Sequence, residues 1–150
     1  FCAMRAAEGA ALGAVIASQL DEIAGLIAQA ETAAEVRRPE VKASLTAALQ
    51  RVIEDIADVD EARVAQELAL LAVKSDITEE IDRLKTHVIA ARDLLKDTKP
   101  IGRKLDFLAQ EFNREANTLC SKAGASALTS VGLDLKAVIE QMREQIQNVE

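Results

Sequence analysis

Apolar residues recur at steps of three and four along the whole chain, and they do not alternate as a half-buried strand would require. Ile16, Leu20, Ile23, Ile27 and Ala30 form the first stripe, which predicts a helix from about residue 2 to about residue 34. Arg38-Pro39 is expected to break it, placing Pro39 in the first turn of a second helix faced by Leu45, Leu49, Val52, Ile53 and Ile56. Asp58 or Asp60 can cap a third helix, in which Val64, Leu68 and Leu71 face inward. Asp76-Ile-Thr-Glu79 reads as a capping box that opens a fourth helix. Its inner face is Ile77, Ile81, Leu84, Val88, Ala91 and Leu95, spaced like a heptad seam. The stretch from Lys96 to Gly102, with Pro100 inside it, is the clearest break. A fifth helix then carries Leu105, Leu108, Phe112, Ala116 and Leu119. After Gly124 a last helix carries Leu128, Val131, Leu135, Val138, Met142, Ile146 and Val149. The prediction is all-α: an elongated antiparallel bundle of helical hairpins, about six helices in all, forming one domain. Seams this long often continue into a second subunit, so a homo-oligomer is expected.

Composition narrows this picture. With no Trp or Tyr and only 3 Phe in 150 residues, the core must be aliphatic. A net charge of -7 argues against indiscriminate nucleic-acid binding, although it leaves room for a local basic patch. The shortage of aromatics also argues against a platform for stacking single-stranded bases. Cys2 and Cys120 form neither a disulfide framework nor a metal-binding spacing, which fits reduced thiols and a cytoplasmic setting. The apolar run from Gly9 to Ala17 continues as an amphipathic face, and no segment is expected to span a membrane.

Polar positions point to chemistry in two places. On the fifth helix a second stripe, Arg103, Phe107, Gln110, Arg114, Asn117 and Ser121, lines up guanidinium and amide groups suited to phosphates and base edges. Arg103, Lys104, Arg114 and Lys122 make the candidate basic patch for RNA phosphates. Asn113 and Asn117, one turn apart, are poor helix formers and invite a hydrogen-bonding role. Glu111 and Glu115 can hold a divalent ion or orient Arg114 and Lys122, while a plain salt-bridge ladder is the alternative.

The second place is His87, the single histidine, which shares a helix face with Glu80 and Arg83. It reads as a metal ligand or general base, with a surface polar ladder as the other reading. Glu67, on a stripe with Arg63 and Lys74, can approach Glu80 or His87 if the third and fourth helices form a hairpin. Carboxylates with one imidazole suit Mg²⁺ or Mn²⁺ better than a structural zinc site.

Four blocks carry a resemblance. They are Arg63-Val-Ala-Gln-Glu-Leu-Ala-Leu-Leu-Ala, Asp76-Ile-Thr-Glu-Glu-Ile-Asp-Arg-Leu-Lys-Thr-His87, the stretch from Gly102 to Lys122, and the closing Glu140-Gln-Met-Arg-Glu-Gln-Ile-Gln-Asn-Val-Glu150. In this order they resemble the C-terminal half of the YicC-like endoribonuclease family, a stress-induced type. The resemblance is strong from Arg63 onward and looser before it. A chain that opens at Phe1, without the family's N-terminal half, is expected to be part of a longer protein. Val73 and Thr86 depart mildly from the family pattern.

The resemblance implies cleavage of RNA assisted by Mn²⁺ or Mg²⁺, and assembly into a large oligomer such as a hexamer. Metal-free RNA cleavage commonly uses two histidines, and this chain has one, which also favours a metal route. Glu67, Glu80, His87 and Glu111 are then expected toward the metal, with Glu67, Glu80 and His87 as the catalytic set. Arg83, Arg103, Lys104, Arg114, Asn117 and Lys122 are expected toward RNA. The competing reading is a non-catalytic oligomerisation, RNA-gripping or adaptor module.

Overall fold

The computed structural model describes residues 2–56, 58, 60–124 and 126–148, with the backbone but not the side chain of Ser126. Five helices account for the ordered elements, and the described residues contain no strand. They are α1 (Cys2–Asp55), α2 (Glu61–Ser75), α3 (Thr78–Leu95), α4 (Gly102–Ala123) and α5 (Ser126–Gln147). Val149 and Glu150 lie outside the described residues.

The expected break at Arg38-Pro39 does not occur: α1 runs unbroken through Pro39, giving five helices where about six were expected. Pro39 removes one backbone donor, toward the carbonyl of Glu35. Both residues are exposed, so water can replace the missing hydrogen bond. The inward-facing side also carries on past the proline through Ala34, Arg37, Val41 and Leu45, giving the helix a surface to follow.

Four helices close a ring. α1 packs on α3 and α5, and α4 packs on the same two from the other side. The buried centre is aliphatic apart from Phe112: Ile16, Leu20, Ile23 and Ile27 from α1, Ile81, Leu84 and Val88 from α3, Leu105, Ala109 and Leu119 from α4, and Leu128, Leu135, Ile139 and Met142 from α5. Apart from Ala109 and Ile139, these are the residues that the helical spacing selects. Surface ion pairs Glu31–Lys85 and Asp21–Arg92, at 2.8 and 2.7 Å, align α1 against an antiparallel α3. Such exposed pairs set register more than they stabilise.

Two glycines are used structurally. Gly132 lets α5 approach α4, because a Cβ there would lie 2.7 Å from the Cys120 Sγ. Gly124, at φ +58°, ends α4 in the left-handed region that side chains disfavour.

The second half of α1 leaves the ring and forms an arm with α2. No residue of α2 is buried. Leu71, expected to face inward, is exposed, as are Ile53, Ile56, Leu70 and Val73. Between the two helices lies a cleft of about 450 Å³ lined by residues including Leu45, Leu49, Leu68 and Ala72. Asp60 caps α2 by accepting from the Ala62 amide. Arg37 ties the arm to the ring: its Nη2 donates to the carbonyls of Ser75 (2.8 Å) and Lys122 (3.2 Å), in the last turns of α2 and α4.

The capping box also differs in detail from expectation. Asp76 Oδ1 accepts from the backbone amide and hydroxyl of Thr78, while Glu79 binds Arg83 instead of reaching back. The two Thr78 donors hold the Asp76 carboxyl below its ordinary range. Membrane length is a further correction. α1 contains an 18-residue window of mean hydropathy 1.4, long and apolar enough to cross a bilayer by composition alone. Its stripe from Ile16 to Ala30 is nevertheless buried in the bundle, while 22% of that window as a whole is buried.

Candidate metal centre

α3 and α4 run antiparallel, and the seam between them holds an unusual density of charge for a bundle interior. At one end Glu80, only 2% exposed, accepts from Lys122 Nζ at 2.7 Å. Its other oxygen is buried without a partner. One turn along α3, Arg83 is hydrogen-bonded to Glu79 and lies 3.6 Å from the carboxylate of Glu115. Glu115 is itself just 3% exposed. A turn further on, His87 meets Glu111 and Glu115 from α4. One ligand atom from each of these three side chains lies within 4.8 Å of the others.

Local helix geometry explains the grouping. Glu111 and Glu115 are four residues apart, so both carboxylates project from one face of α4. Phe112 stands between them in sequence and is fully buried. Its ring meets the His87 imidazole edge-on, with centroids 5.7 Å apart, which fixes the imidazole against the seam. The Nε2 of His87 is buried and has no hydrogen-bond partner among the described residues. Burying an imidazole nitrogen without a partner is costly, and a metal ion is one group that satisfies it. Two carboxylates and one imidazole form a donor set for Mn²⁺ or Mg²⁺, and they lack the thiolates of a structural zinc site.

The endoribonuclease YicC-like C-terminal family model matches residues 30–150. The chain belongs to this family. It is 42% identical over 158 residues to "Probable endoribonuclease YicC" of Haemophilus influenzae, covering 100% of this chain and 51% of that protein. It is 38% identical over 147 residues to the protein of the same name from Clostridioides difficile, covering 98% of this chain and 50% of the relative. The chain thus spans about half the length of the curated relatives it matches.

Within this YicC-like domain the expected site residues separate into three groups. His87 and Glu111 come together, and Glu115 joins them; the spacing of Glu111 and Glu115 suggests a divalent-ion pair but does not place Glu115 in the set with His87. Its signal was that pair, placed one helix away from the single histidine. Glu80 belongs to the same seam but is engaged by Lys122, seven residues along α3 from His87. Glu67 stands apart. α2 packs on α1 and touches α4 rather than α3, so the hairpin expected to bring Glu67 toward His87 is not formed and its side chain is exposed.

The basic residues also divide. Arg83 and Lys122 are held by seam carboxylates. Arg103, Lys104, Arg114 and Asn117 are exposed on α4, with Gln110 and Phe107 between them. Arg114 lies 3.8 Å from Glu111, so this outer stripe touches the rim of the metal-type cluster. Arg103 and Lys122 are about 28 Å apart along the helix axis, which makes the basic set a track rather than a point patch. The second free thiol, Cys120, is partly buried against α5, and desolvation raises its pKa.

Proposed function

We propose that this chain is the C-terminal helical half of a divalent-metal-dependent endoribonuclease, with Mn²⁺ or Mg²⁺ held by His87, Glu111 and Glu115. The observation that carries the reading is the three-residue donor set, whose imidazole nitrogen is buried and unpartnered. The names of the two relatives support RNA as the substrate. When bound, such an ion would activate water and stabilise charge developing on a phosphodiester. The protein's own part is positional. Phe112 holds the His87 ring, and the Lys122–Glu80 pair fixes the start of α3 against the end of α4. Arg114, beside Glu111, and the outer residues Arg103, Lys104 and Asn117 would guide the RNA backbone along α4 toward the cluster.

The reading extends to a cytoplasmic homo-oligomer. It is supported by the arm, where Ile53, Ile56, Leu70, Leu71 and Val73 leave apolar surface of the kind subunit contacts cover. A structured RNA incubated with this chain and with a full-length relative, each in Mn²⁺ or EDTA, tests the assignment. Metal-dependent cleavage by the chain itself, lost in His87→Ala, is expected if the seam suffices for chemistry. Cleavage confined to the longer protein and unaffected by the matching histidine substitution would refute the assignment. The chain would then serve as an RNA-gripping or assembly module.

A further inference from the structure

Glu115 is buried to 3% exposure, and the cation paired with it is Arg83. The two halves of that guanidinium are held unequally. Nη2 makes a hydrogen bond to Glu79, which is exposed at the surface one turn back on α3. Nη1 stands 3.6 Å from Glu115, beyond hydrogen-bond reach. The arginine side chain is 49% exposed, so water reaches it. One long-armed cation is therefore shared between an exposed carboxylate that binds it and a buried one that lies within reach of its charge.

We propose that Arg83, anchored on Glu79, acts as a resident counter-ion for the metal centre, its charge offsetting that of Glu115 when no divalent ion is bound. This rests on the reading of His87, Glu111 and Glu115 as a cation site. Without Arg83, Glu111 and Glu115 place two carboxylates beside the imidazole, and leaving Glu115 buried and uncompensated would be costly. With Arg83 the cation-free seam is tolerable, but an incoming ion must bind beside a positive charge. Glu79 keeps that charge on the surface side of the seam, where water screens it, instead of against Glu115. Arg83 is thus a positioning residue that sets metal affinity without ligating the metal. The same arrangement gives Glu79, which belongs to no donor set, a defined role.

The test is calorimetric titration of Mn²⁺ into the wild-type chain and into Arg83→Gln, Arg83→Lys, Glu79→Gln and Glu115→Gln, with thermal unfolding of each with and without the ion. A unit charge within a helical turn of a divalent ion, screened almost as in water, alters affinity by about ten-fold. Arg83→Gln should therefore bind Mn²⁺ about ten-fold tighter and gain more thermal stability from it than wild type. Arg83→Lys should stay within about three-fold of wild type, because the charge is kept. Glu79→Gln should bind a few-fold more weakly, since the guanidinium then has only Glu115 to hold.

Unchanged or weaker binding in Arg83→Gln, with binding abolished in Glu115→Gln, would overturn the counter-ion role and leave the metal centre standing. If Arg83→Gln does not fold, Glu79→Gln decides, and wild-type affinity there overturns the proposal. Wild-type affinity in Glu115→Gln would instead remove the metal centre itself.

Discussion

The α3–α4 seam and the α1–α2 arm depart from ordinary bundle packing in opposite directions. The seam buries what is normally exposed: Glu80 and Glu115 are almost wholly enclosed, beside a histidine nitrogen with no partner. The arm exposes what is normally buried, with Leu70, Leu71 and Val73 more than half exposed and no residue of α2 in the core. Buried charge is retained only where partners or a ligand compensate it, and exposed apolar surface where something else covers it. The contrast therefore assigns different work to the two regions. On the proposed function, the seam serves ligand chemistry and the arm serves contact between subunits.

The largest expected difference is in stability. Leu84 is fully buried in α3, so Leu84→Ala should cost about 2–5 kcal/mol in urea unfolding. Leu71→Ala on the arm should stay within about 0.5 kcal/mol. Equal losses would mean that the arm is covered in solution, which would sharpen the case for a subunit contact. Next comes Lys122→Met, which strips the partner from a carboxylate that is 2% exposed. A loss of about 2–3 kcal/mol is expected, below that of a fully enclosed pair because water reaches the lysine. Adding Glu80→Leu should restore most of it, and failure to do so would show that the pair does more than neutralise charge.

The smallest effect belongs to Asp76, at the junction of the two regions. Thr78 holds its folded-state pKa below the ordinary 3.8. The associated stability is fully present above that ordinary value and disappears as pH falls through the lowered one. Asp76→Asn should flatten the acid limb of a plot of urea midpoint against pH. The change should be slight, because the carboxyl is exposed and screened. An unaltered acid limb would remove Asp76 as a junction clamp.

Much of the bundle was legible because helical spacing and burial are the same information seen twice. Ile81, Leu84 and Val88, or Leu105, Phe112 and Leu119, can face a core only if each segment is helical. Pro39 misled because the cost of a proline depends on whether water reaches the orphaned carbonyl, which a one-dimensional pattern does not encode. Leu71 misled because a stripe declares only that it can be covered, not that this chain supplies the cover. In the site, His87 and Glu111 were readable as residue types able to ligate. Their meeting with Glu115 depends on how α3 and α4 register, a tertiary fact set by the apolar residues around them. Glu67 was placed by assuming that its helix pairs with the one that follows it, whereas α2 packs on α1.

The most direct test of the central claim is Mn²⁺ binding to this chain, measured by calorimetry on the wild type and on a His87→Ala/Glu115→Gln double variant that retains its helical signal. One site in the wild type, absent from the variant, is the expected result. Equal affinity and stoichiometry in both proteins would contradict it, and the buried charge of the seam would then be structural alone.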